Sequence, residues 1–241
     1  MLYTSKENPK IKEIKKLKEK KYRDELGKFI IEGEHLVLEA YKSNMLLEVY
    51  ILDGYDFDID IEKNYCSLNV LKYISDLDDT PKVIGVCKKL TSREPGSRIL
   101  MLDDIQDPGN LGTIIRSSVA FNVDTIVLSK NSVDVYNNKV IRATQGMLFK
   151  INIIIQDIDA YIDYLKTNNY KIIGTKVDNG IDIKKLEKNE NLCIIMGNEG
   201  KGVKPEILDK CDEYVYINMN ENCESLNVGV ATSIILYELD K

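Results

Sequence analysis

The sequence predicts an α/β fold with a mainly parallel sheet in its C-terminal part and a smaller α/β unit before that sheet. Three observations support this prediction. Short apolar runs alternate with stretches of helical periodicity along the chain. After residue 98 the apolar runs are separated by segments long enough to hold a helix, as neighbouring parallel strands require. The turn-rich segment 91–97 divides the chain between two apolar strands.

Length and composition are those of a globular protein with two domains. The chain has 241 residues, and we place the domains at residues 1–92 and 97–241. Hydrophobic residues make up 44% of the chain and charged residues 30%, which argues against a disordered protein. No apolar run approaches the roughly 18 residues that span a bilayer, so we expect no membrane association. The start of the chain lacks the apolar core of a secretory signal, so we expect a cytoplasmic protein.

The cysteines and the single histidine limit the possible chemistry. The five cysteines are odd in number and widely spaced, without a C-x-x-C pair, which argues against a disulfide framework and a zinc site. We therefore expect reduced thiols and no bound metal. His35 is the only histidine, and we interpret it as a packed or surface residue. Catalysis by a Ser-His or Cys-His pair is thus hard to build here.

Residues 8–26 are predicted to form one helix. Asn8 or Ser5 can cap it, and Pro9 suits its first turn. Its apolar stripe consists of Ile11, Ile14, Leu17, Tyr22 and Leu26. Residues 1–30 hold ten Lys and Arg against five Asp and Glu, a charge of +5, whereas the net charge of the chain is −6. This basic stretch is either a solvated helix face or an arm that meets the phosphates of a nucleic acid.

The remaining elements follow from apolar runs and helical spacing. In the first domain we predict strands within 27–34, 47–52 and 81–87 and a helix at 35–41. The strands predicted in the second domain are 99–102, 125–128, 150–155, 170–175, 192–196 and 214–217. The predicted helices there are 111–121, 158–168, 204–210 and 226–239. Asn110 stands where the N-cap of helix 111–121 is expected.

Three loops rich in small and polar residues follow apolar strands of the second domain. They comprise residues 103–118, 197–202 and 218–228. In an open α/β sheet, ligands bind at loops that follow the carboxyl ends of strands. The three loops could therefore converge on one site.

Residues of these loops resemble the motifs of a known family. The segments are Asn110-x-Gly112-x-x-x-Arg116-Ser117, Met196-Gly197-x-Glu199-Gly200-x-Gly202 and Ser225-Leu226-Asn227-Val228-x-Val230-Ala231. In this order they resemble the three motifs of the SpoU/TrmH family of RNA 2'-O-methyltransferases. The resemblance implies a SPOUT fold, in which the C-terminal chain forms a trefoil knot that holds S-adenosylmethionine. It also implies a homodimer formed through helices beside the knot.

Two further segments resemble parts of the same family. Phe29-x-x-Glu32-Gly33 is similar to the start of the SpoU substrate-binding domain, which is related to the ribosomal protein L30e fold. This similarity implies that the first domain docks onto structured RNA, and it favours ribosomal over transfer RNA. Arg142-x-Thr144-x-Gly146 resembles the family's Arg-x-(Ser/Thr)-x-Gly segment, although an exposed helix face would have the same pattern.

The resemblance implies roles for individual residues. Those implied to contact the cofactor, largely through main-chain groups, are Gly197, Gly200, Gly202, Ile217, Met219 and Leu226. Arg116 either acts as the base or stays charged and stabilises the developing alkoxide. Asn110 is expected to orient the ribose hydroxyls or Arg116, with a helix N-cap as the alternative. Glu199 is expected to pair with Arg116, of the same or of a second subunit, with a surface-loop acid as the alternative. Ser225 and Asn227 are expected in the site, with a helix cap or a loop-bracing hydrogen bond as the alternative.

The chain departs from the family in the third loop. Where the family has Ile-Pro-Met and a following glycine, this chain has Ile217-Asn218-Met219 and Glu221, which add flexibility and a negative charge. The leading hypothesis is metal-independent methylation of a ribose 2'-hydroxyl in ribosomal RNA of the 23S type, with S-adenosylmethionine as cofactor. The alternatives are a SPOUT-fold RNA-binding protein with lost or weakened catalysis and a transfer RNA 2'-O-methyltransferase.

Overall fold

The computed structural model of the chain describes residues 1–177, 179–187 and 190–240. They divide into two compact units. The first unit contains Met1–Thr91 and Asp134–Lys150, and the second contains Ser92–Val133 and the chain from Ile151 onwards. The segment Asp134–Lys150 thus interrupts the second unit in sequence but belongs to the first in structure.

The regular elements alternate as the sequence predicts. The strands are β1 (Leu2–Tyr3), β2 (Lys28–Glu32), β3 (Leu46–Leu52), β4 (Lys63–Cys66), β5 (Val83–Lys88), β6 (Arg98–Leu102), β7 (Thr125–Ser129), β8 (Asn152–Gln156), β9 (Lys171–Thr175), β10 (Ile181–Asp182), β11 (Leu192–Met196) and β12 (Glu213–Tyr216). The helices are α1 (Pro9–Lys16), α2 (Lys20–Leu26), α3 (Glu34–Lys42), α4 (Leu68–Ile74), α5 (Pro108–Ala120), α6 (Asn138–Thr144), α7 (Ile158–Thr167), α8 (Pro205–Leu208) and α9 (Val228–Asp240). Among the described residues, no helix is long and apolar enough to cross a membrane.

The first unit contains a mixed five-stranded sheet in the order β1-β4-β3-β5-β2. β5 pairs antiparallel with β2 and β3, whereas β4 pairs parallel with β3 and β1. Ile11 and Ile14 of α1 pack against Ile30, Tyr50 and other buried residues of this sheet. The predicted strands are confirmed, but β1, β4 and α4 were not predicted. β4 was missed because it is the polar sequence Lys-Asn-Tyr-Cys.

The prediction of one helix over residues 8–26 is wrong, because the helix breaks between α1 and α2. Arg23, only 7% exposed, donates from Nη1 to the carbonyl oxygens of Leu17 (3.0 Å) and Lys18 (2.7 Å). These carbonyls would otherwise lack partners at the end of α1. Leu26, which was assigned to the apolar stripe, is 38% exposed. Because of the break, Arg23 is buried where a continuous helix would have buried Leu26.

The segment Asp134–Lys150 packs into the first unit through polar and aromatic contacts. Asp134 accepts a hydrogen bond from Arg23 Nη2 at 2.5 Å, and the Tyr136 ring lies 4.7 Å from that of Phe29, centre to centre. Thr144 is fully buried and donates to the carbonyl oxygen of Ile141. The interpretation of Thr144 as part of an exposed helix face is therefore wrong, while Arg142 remains half-buried.

The signature Phe29-x-x-Glu32-Gly33 has a structural explanation. Glu32, only 6% exposed, accepts hydrogen bonds from Ser75 Oγ at 2.6 Å and from the backbone N–H of Asp76 at 2.9 Å. Gly33 has a φ of 99°, a conformation that glycine adopts readily, at the point where the chain turns from β2 into α3. The glutamate thus fixes the loop after α4 to the end of β2.

The second unit contains a seven-stranded sheet in the order β10-β12-β9-β11-β6-β7-β8. All neighbouring pairs in it are parallel, as the alternation of apolar runs and helices predicts. Buried aliphatic side chains from the sheet pack against Ile158, Ile162 and Leu165 of α7. Helices α5 and α9 contact each other. Ser117 Oγ of α5 lies 2.7 Å from Ser233 Oγ of α9.

Helix α5 begins three residues earlier than predicted. Its N-cap is Asp107, whose Oδ1 accepts a hydrogen bond from the Asn110 backbone N–H at 2.8 Å, and Pro108 stands at its first position. The prediction of Asn110 as the N-cap is therefore wrong. Its side-chain amide is left available for other partners.

The pair of Arg23 and Asp134 gives a stability prediction for the first unit. Arg23→Met should lower the free energy of unfolding by about 3–5 kcal/mol, because it leaves Asp134 unpaired in a largely buried position. Lys12→Met is the control, since Lys12 pairs with Glu7, both side chains are exposed, and such pairs contribute at most about 1 kcal/mol. Urea unfolding followed by circular dichroism measures both. Equal losses in the two variants would show that the Arg23 pair does not hold the break in place.

Candidate active site

The carboxyl ends of the parallel strands open onto one pocket of about 540 Å³ in the second unit. Its walls come from residues that follow β9, β11 and β12 and from the first turns of α9. Parallel strands end at the same edge of a sheet, so loops distant in sequence meet there. The volume lies within the range of about 300–1,000 Å³ that is typical of small-molecule sites.

The structure brings the predicted cofactor residues together in this pocket. The predicted residues that line it are Gly197, Gly200, Gly202, Ile217, Met219 and Leu226, together with Glu199 and Ser225. Of the two residues that depart from the family pattern, neither Asn218 nor Glu221 is among the described residues that line the pocket. The additional negative charge therefore lies outside the lining.

The second loop is closed on itself by backbone hydrogen bonds. Asn198 and Gly202 exchange N–H···O bonds of 3.0 and 2.9 Å, and Asn198 Oδ1 accepts from the backbone N–H of Gly200 and Lys201. A Cβ at Gly197 would lie only 2.0 Å from the backbone carbon of Gly202. Glycine is therefore required at position 197, and the loop presents a fixed main chain to the pocket.

Glu199 ties the second loop to the first. Its carboxylate accepts hydrogen bonds from the backbone N–H of Asp107 (3.0 Å) and of Gln106 (3.2 Å), and from Asn110 Nδ2 (3.2 Å). Burial raises the pKa of the Glu199 carboxyl, but these hydrogen bonds, first that from Asp107, outweigh burial and lower the pKa below its usual value. Glu199 is thus a carboxylate at neutral pH, held by donors from the first loop.

Asn227 ties the third loop to the first. Its Nδ2 donates to Asn110 Oδ1 at 2.9 Å, while its Oδ1 accepts from the backbone N–H of Gly229 at 2.9 Å, at the start of α9. The side chain therefore caps the helix with its oxygen and reaches the site with its nitrogen. Glu199, Asn110 and Asn227 form one hydrogen-bonded chain through all three loops.

Two of the predicted site residues, Arg116 and Ser225, take no part in the hydrogen bonds that join Glu199, Asn110 and Asn227. Arg116 is exposed on α5, less than two turns beyond Asn110, and none of the described residues forms an ion pair or hydrogen bond with it. Ser225 is exposed at the pocket, and its carbonyl oxygen accepts from Cys223 Sγ. The Arg116 side chain is therefore available to a ligand or to another molecule.

Sequence reasoning missed an ion pair beside the pocket. Asp103, only 1% exposed, accepts from Lys204 Nζ at 2.8 Å and from the Lys204 backbone N–H at 3.3 Å. The hydrogen bond to Asp103 raises the pKa of Lys204. Asn198 Nδ2 also donates to the carbonyl oxygen of Asp104 at 2.9 Å. A charged residue directly after the apolar run 99–102 was a signal for Asp103, but the sequence gives none for Lys204.

Comparison with known proteins identifies the family. Residues 97–237 match the sequence profile of the SpoU rRNA Methylase family, and residues 8–85 match that of the MRM3-like substrate binding domain. The first match covers more than half of the chain. The chain belongs to the SpoU rRNA methylase family.

Among its relatives is the 23S rRNA (guanosine(2553)-2'-O)-methyltransferase RlmP of Bacillus subtilis, 35% identical over 98% of this chain and 97% of that protein. Among solved structures, the AdoMet-bound rRNA methyltransferase from Sinorhizobium meliloti has a TM-score of 0.86 at 26% identity, over 99% of this chain and 97% of the other. An RNA 2'-O ribose methyltransferase structure has a TM-score of 0.84 at 26% identity, over 99% and 98%. The SPOUT α/β fold and the methyltransferase class inferred from the motifs are confirmed.

The pocket of this SpoU protein fits S-adenosylmethionine. It offers the fixed main chain of the loop that starts at Gly197, and apolar side chains such as Ile217, Leu226 and Ile235 for an adenine ring. Lys176 and Lys201 also line it and can meet a carboxylate. Among the residues that the structure describes, no group of three or more His, Cys, Asp or Glu is placed to hold a metal ion.

The lowered pKa of Glu199 gives a pH prediction. A carboxyl whose folded-state pKa is lowered stabilises the fold above its unfolded pKa, and this contribution is lost as pH falls through the folded value. The free energy of unfolding of the natural protein should therefore exceed that of Glu199→Gln at neutral pH, and the difference should shrink below pH 4.5, the usual value for glutamate. Urea unfolding at neutral pH and below pH 4.5 measures the difference in the free energy of unfolding.

Glu221→Gln is the matched control for this experiment. Glu221 is an exposed acid of the third loop, and no described residue forms a hydrogen bond with its carboxylate. This variant should have the stability of the natural protein at both pH values. A difference between Glu199→Gln and the natural protein that stays constant with pH would show that the Glu199 hydrogen bonds do not depend on its charge.

Proposed function

We propose that this SpoU methyltransferase transfers a methyl group from S-adenosylmethionine to a ribose 2'-hydroxyl of ribosomal RNA. The observation that carries the proposal is the pocket of the second unit, which the second and third motif loops line and to which the first loop is tied through Glu199, Asn110 and Asn227. The Bacillus subtilis relative is named for a guanosine of 23S rRNA, and a guanosine of 23S rRNA is the substrate we propose.

The reaction requires alignment of the hydroxyl with the methyl group and removal of its proton. S-adenosylmethionine supplies a sulfonium-bound methyl group. Arg116 is the residue we assign to the RNA side, because it is exposed on α5 and has no ionic partner among the described residues. A protonated guanidinium has no lone pair with which to accept a proton, so we favour a charged Arg116 that binds the target phosphate and stabilises the developing alkoxide.

Asn110 and Glu199 act on the geometry of the site in this proposal. The Asn110 amide is held at both ends, by Glu199 at its nitrogen and by Asn227 at its oxygen, so its orientation is fixed. A fixed amide at the start of α5 can orient the ribose relative to Arg116 one to two turns further on. Ser225 contributes a hydroxyl at the pocket entrance.

We further propose that the C-terminal chain forms the trefoil knot of the SPOUT fold. β12 lies beyond β9 on one side of β11, whereas α9 packs against α5, which follows β6 on the other side. The chain between β12 and α9 therefore passes the closed loop that follows β11. Such a passage is what threading requires.

The two domains have separate roles in this proposal. Residues 1–92 bind the RNA substrate, as the match to a substrate binding domain over residues 8–85 supports. Residues 97–241 carry the cofactor and the reaction. We expect a homodimer through the face of α5 and α9, where Val230 is 47% exposed. The relative from Bacillus subtilis is named for ribosomal RNA, which a bacterium holds in its cytoplasm, and we expect this chain to work in the cytoplasm as well.

The alternative of an RNA-binding protein without catalysis rested on Asn218 and Glu221. Both side chains are exposed and neither lines the pocket among the described residues. No other observation favours that alternative.

The RNA substrate can be identified by mapping ribose methylation. We expect one 2'-O-methylated guanosine of 23S rRNA to be unmodified in cells that lack this protein and to be restored by its expression. Mass spectrometry of nuclease-digested rRNA and tRNA measures this. An unchanged rRNA pattern with a lost methyl group in tRNA would favour the transfer RNA alternative. No change in either RNA, together with no binding of S-adenosylmethionine by calorimetry, would refute the enzyme.

The role of Arg116 can be tested by its replacement with lysine. Arg116→Lys keeps the charge but loses the planar group that binds a phosphate at two points. The methylation rate should fall by about 10²–10³-fold, the usual effect of removing one transition-state donor, with cofactor affinity unchanged. Single-turnover rates and calorimetry measure the two quantities.

Arg93→Lys is the control for this substitution, because Arg93 is an exposed arginine of the same unit outside the motifs. It should methylate RNA at the natural rate. A normal single-turnover rate for Arg116→Lys would remove Arg116 from the mechanism. A rate loss matched by an equal loss of cofactor affinity would make its role structural.

A further inference from the structure

The cationic side chains of residues 1–30 fall into two groups. One group is paired with acids: Lys10 and Lys28 with Glu48, Lys12 with Glu7, Lys18 with Asp76 and Arg23 with Asp134. The other group consists of Lys6, Lys15, Lys16, Lys20 and Lys21, and none of these forms an ion pair with a described residue. Only the second group retains charge that an anionic partner could neutralise.

Four of the unpaired lysines surround two tyrosine rings. Lys15 Nζ lies 4.9 Å and Lys6 Nζ 5.8 Å from the centre of the Tyr73 ring. Lys16 Nζ lies 5.3 Å and Lys21 Nζ 5.7 Å from the centre of the Tyr22 ring. We call these residues, with Lys20, the lysine–tyrosine surface: Lys6, Lys15, Lys16, Lys20, Lys21, Tyr22 and Tyr73.

The two tyrosines are presented rather than buried. Both are half-exposed, and neither hydroxyl forms a hydrogen bond with a described residue. Tyr73 packs one side against the core that contains Ile11 and Ile14, which fixes its ring. An aromatic ring that is held in place and still reached by solvent is a platform on which a planar group can stack.

Lys15 is held in an unfavourable place for a cation. Its Nζ donates to the Tyr73 carbonyl oxygen at 2.7 Å, close to the Lys18 ammonium. Burial, and after it Lys18, lower the pKa of Lys15 to about 8. Asp76, which pairs with Lys18, raises the pKa of Lys15 but offsets these effects only in part, so a phosphate beside Lys15 would stabilise its charge further.

We propose that the lysine–tyrosine surface binds an unpaired segment of the RNA substrate, with its phosphates at the lysines and its bases stacked on Tyr22 and Tyr73. The proposal rests on the proposed function and specifies the form of RNA that the first unit takes. A duplex would satisfy the lysines, but its bases are stacked on one another and offer no free face to a tyrosine. Unpaired nucleotides offer both phosphates and base faces.

Two triple variants with the same change in net charge test the electrostatic part. Lys16→Gln/Lys20→Gln/Lys21→Gln removes unpaired lysines, whereas Lys10→Gln/Lys12→Gln/Lys28→Gln removes lysines that face carboxylates. Fluorescence anisotropy with a single-stranded RNA oligonucleotide gives the slope of log affinity against log salt. The first triple should reduce this slope by about two, at roughly 0.7 for each lost phosphate contact, and the second should leave it almost unchanged. Equal reductions would overturn the proposal in favour of a diffuse positive field.

Tyr22→Leu and Tyr73→Leu test the stacking part while they keep apolar bulk in place. Each should weaken binding of the single-stranded oligonucleotide by about tenfold, in line with the loss of one stacked base, and should leave binding of a fully paired hairpin unchanged. Equal weakening for both RNAs, or for neither, would overturn the preference for unpaired nucleotides. Displacement of the RNA by polyglutamate at equal charge concentration would point to an acidic protein as the partner and overturn the proposal.

All these variants should bind S-adenosylmethionine with natural affinity in calorimetry, because none of the changed residues lines the pocket. Together with RNA binding and methylation, this measurement distinguishes a failure of the lysine–tyrosine surface from a failure of the proposed function. If the natural protein methylates rRNA and the variants retain natural RNA binding, only the lysine–tyrosine surface is refuted. If the natural protein neither binds RNA nor methylates it, the proposed function itself fails.

Discussion

The carboxylate of Glu199 joins parts of the chain that lie 92 residues apart, and the geometry of the site depends on this contact. It receives the backbone N–H of Asp107 at the start of α5, where the helix dipole and unpaired N–H groups favour a negative charge. Two carboxylates thus lie at this helix end: Asp107 caps α5 with its own side chain, and Glu199 contacts the same end from another loop. The second loop is thereby fixed relative to the helix that carries Asn110 and Arg116.

Much of the fold could be predicted because the second sheet is parallel and buried. Its strands are continuous apolar runs, which are visible in one sequence, and their separation by helices fixes the parallel direction. The first sheet was harder, since β4 is polar and packs only partly. The break after α1 was missed because helical periodicity treats an arginine as exposed. Arg23 can be buried because two carbonyl oxygens and Asp134 accept hydrogen bonds from its two terminal nitrogens, Nη1 and Nη2.

The site could be predicted as far as its motif residues but not in its connections. The motifs placed Gly197, Ile217 and Leu226 in one pocket, where the structure has them. They did not show that Asn227 serves both α9 and Asn110, or that Lys204 pairs with Asp103 across 101 residues of sequence. Such pairs depend on which strand ends become neighbours, and the order of strands in a sheet leaves no local trace in the sequence.

Net charge is a poor guide to RNA binding in this chain, and pairing explains why. A lysine that already faces a carboxylate gives up one favourable contact for each phosphate it gains, so it adds little to affinity. An unpaired lysine releases bound counterions from RNA without such a loss. A protein of net charge −6 can therefore bind RNA strongly if its acids neutralise some cations and leave others free. Within residues 1–30, four of the five lysines without an ion pair lie around Tyr22 and Tyr73, so this surface combines attraction for phosphates with a flat apolar contact for bases.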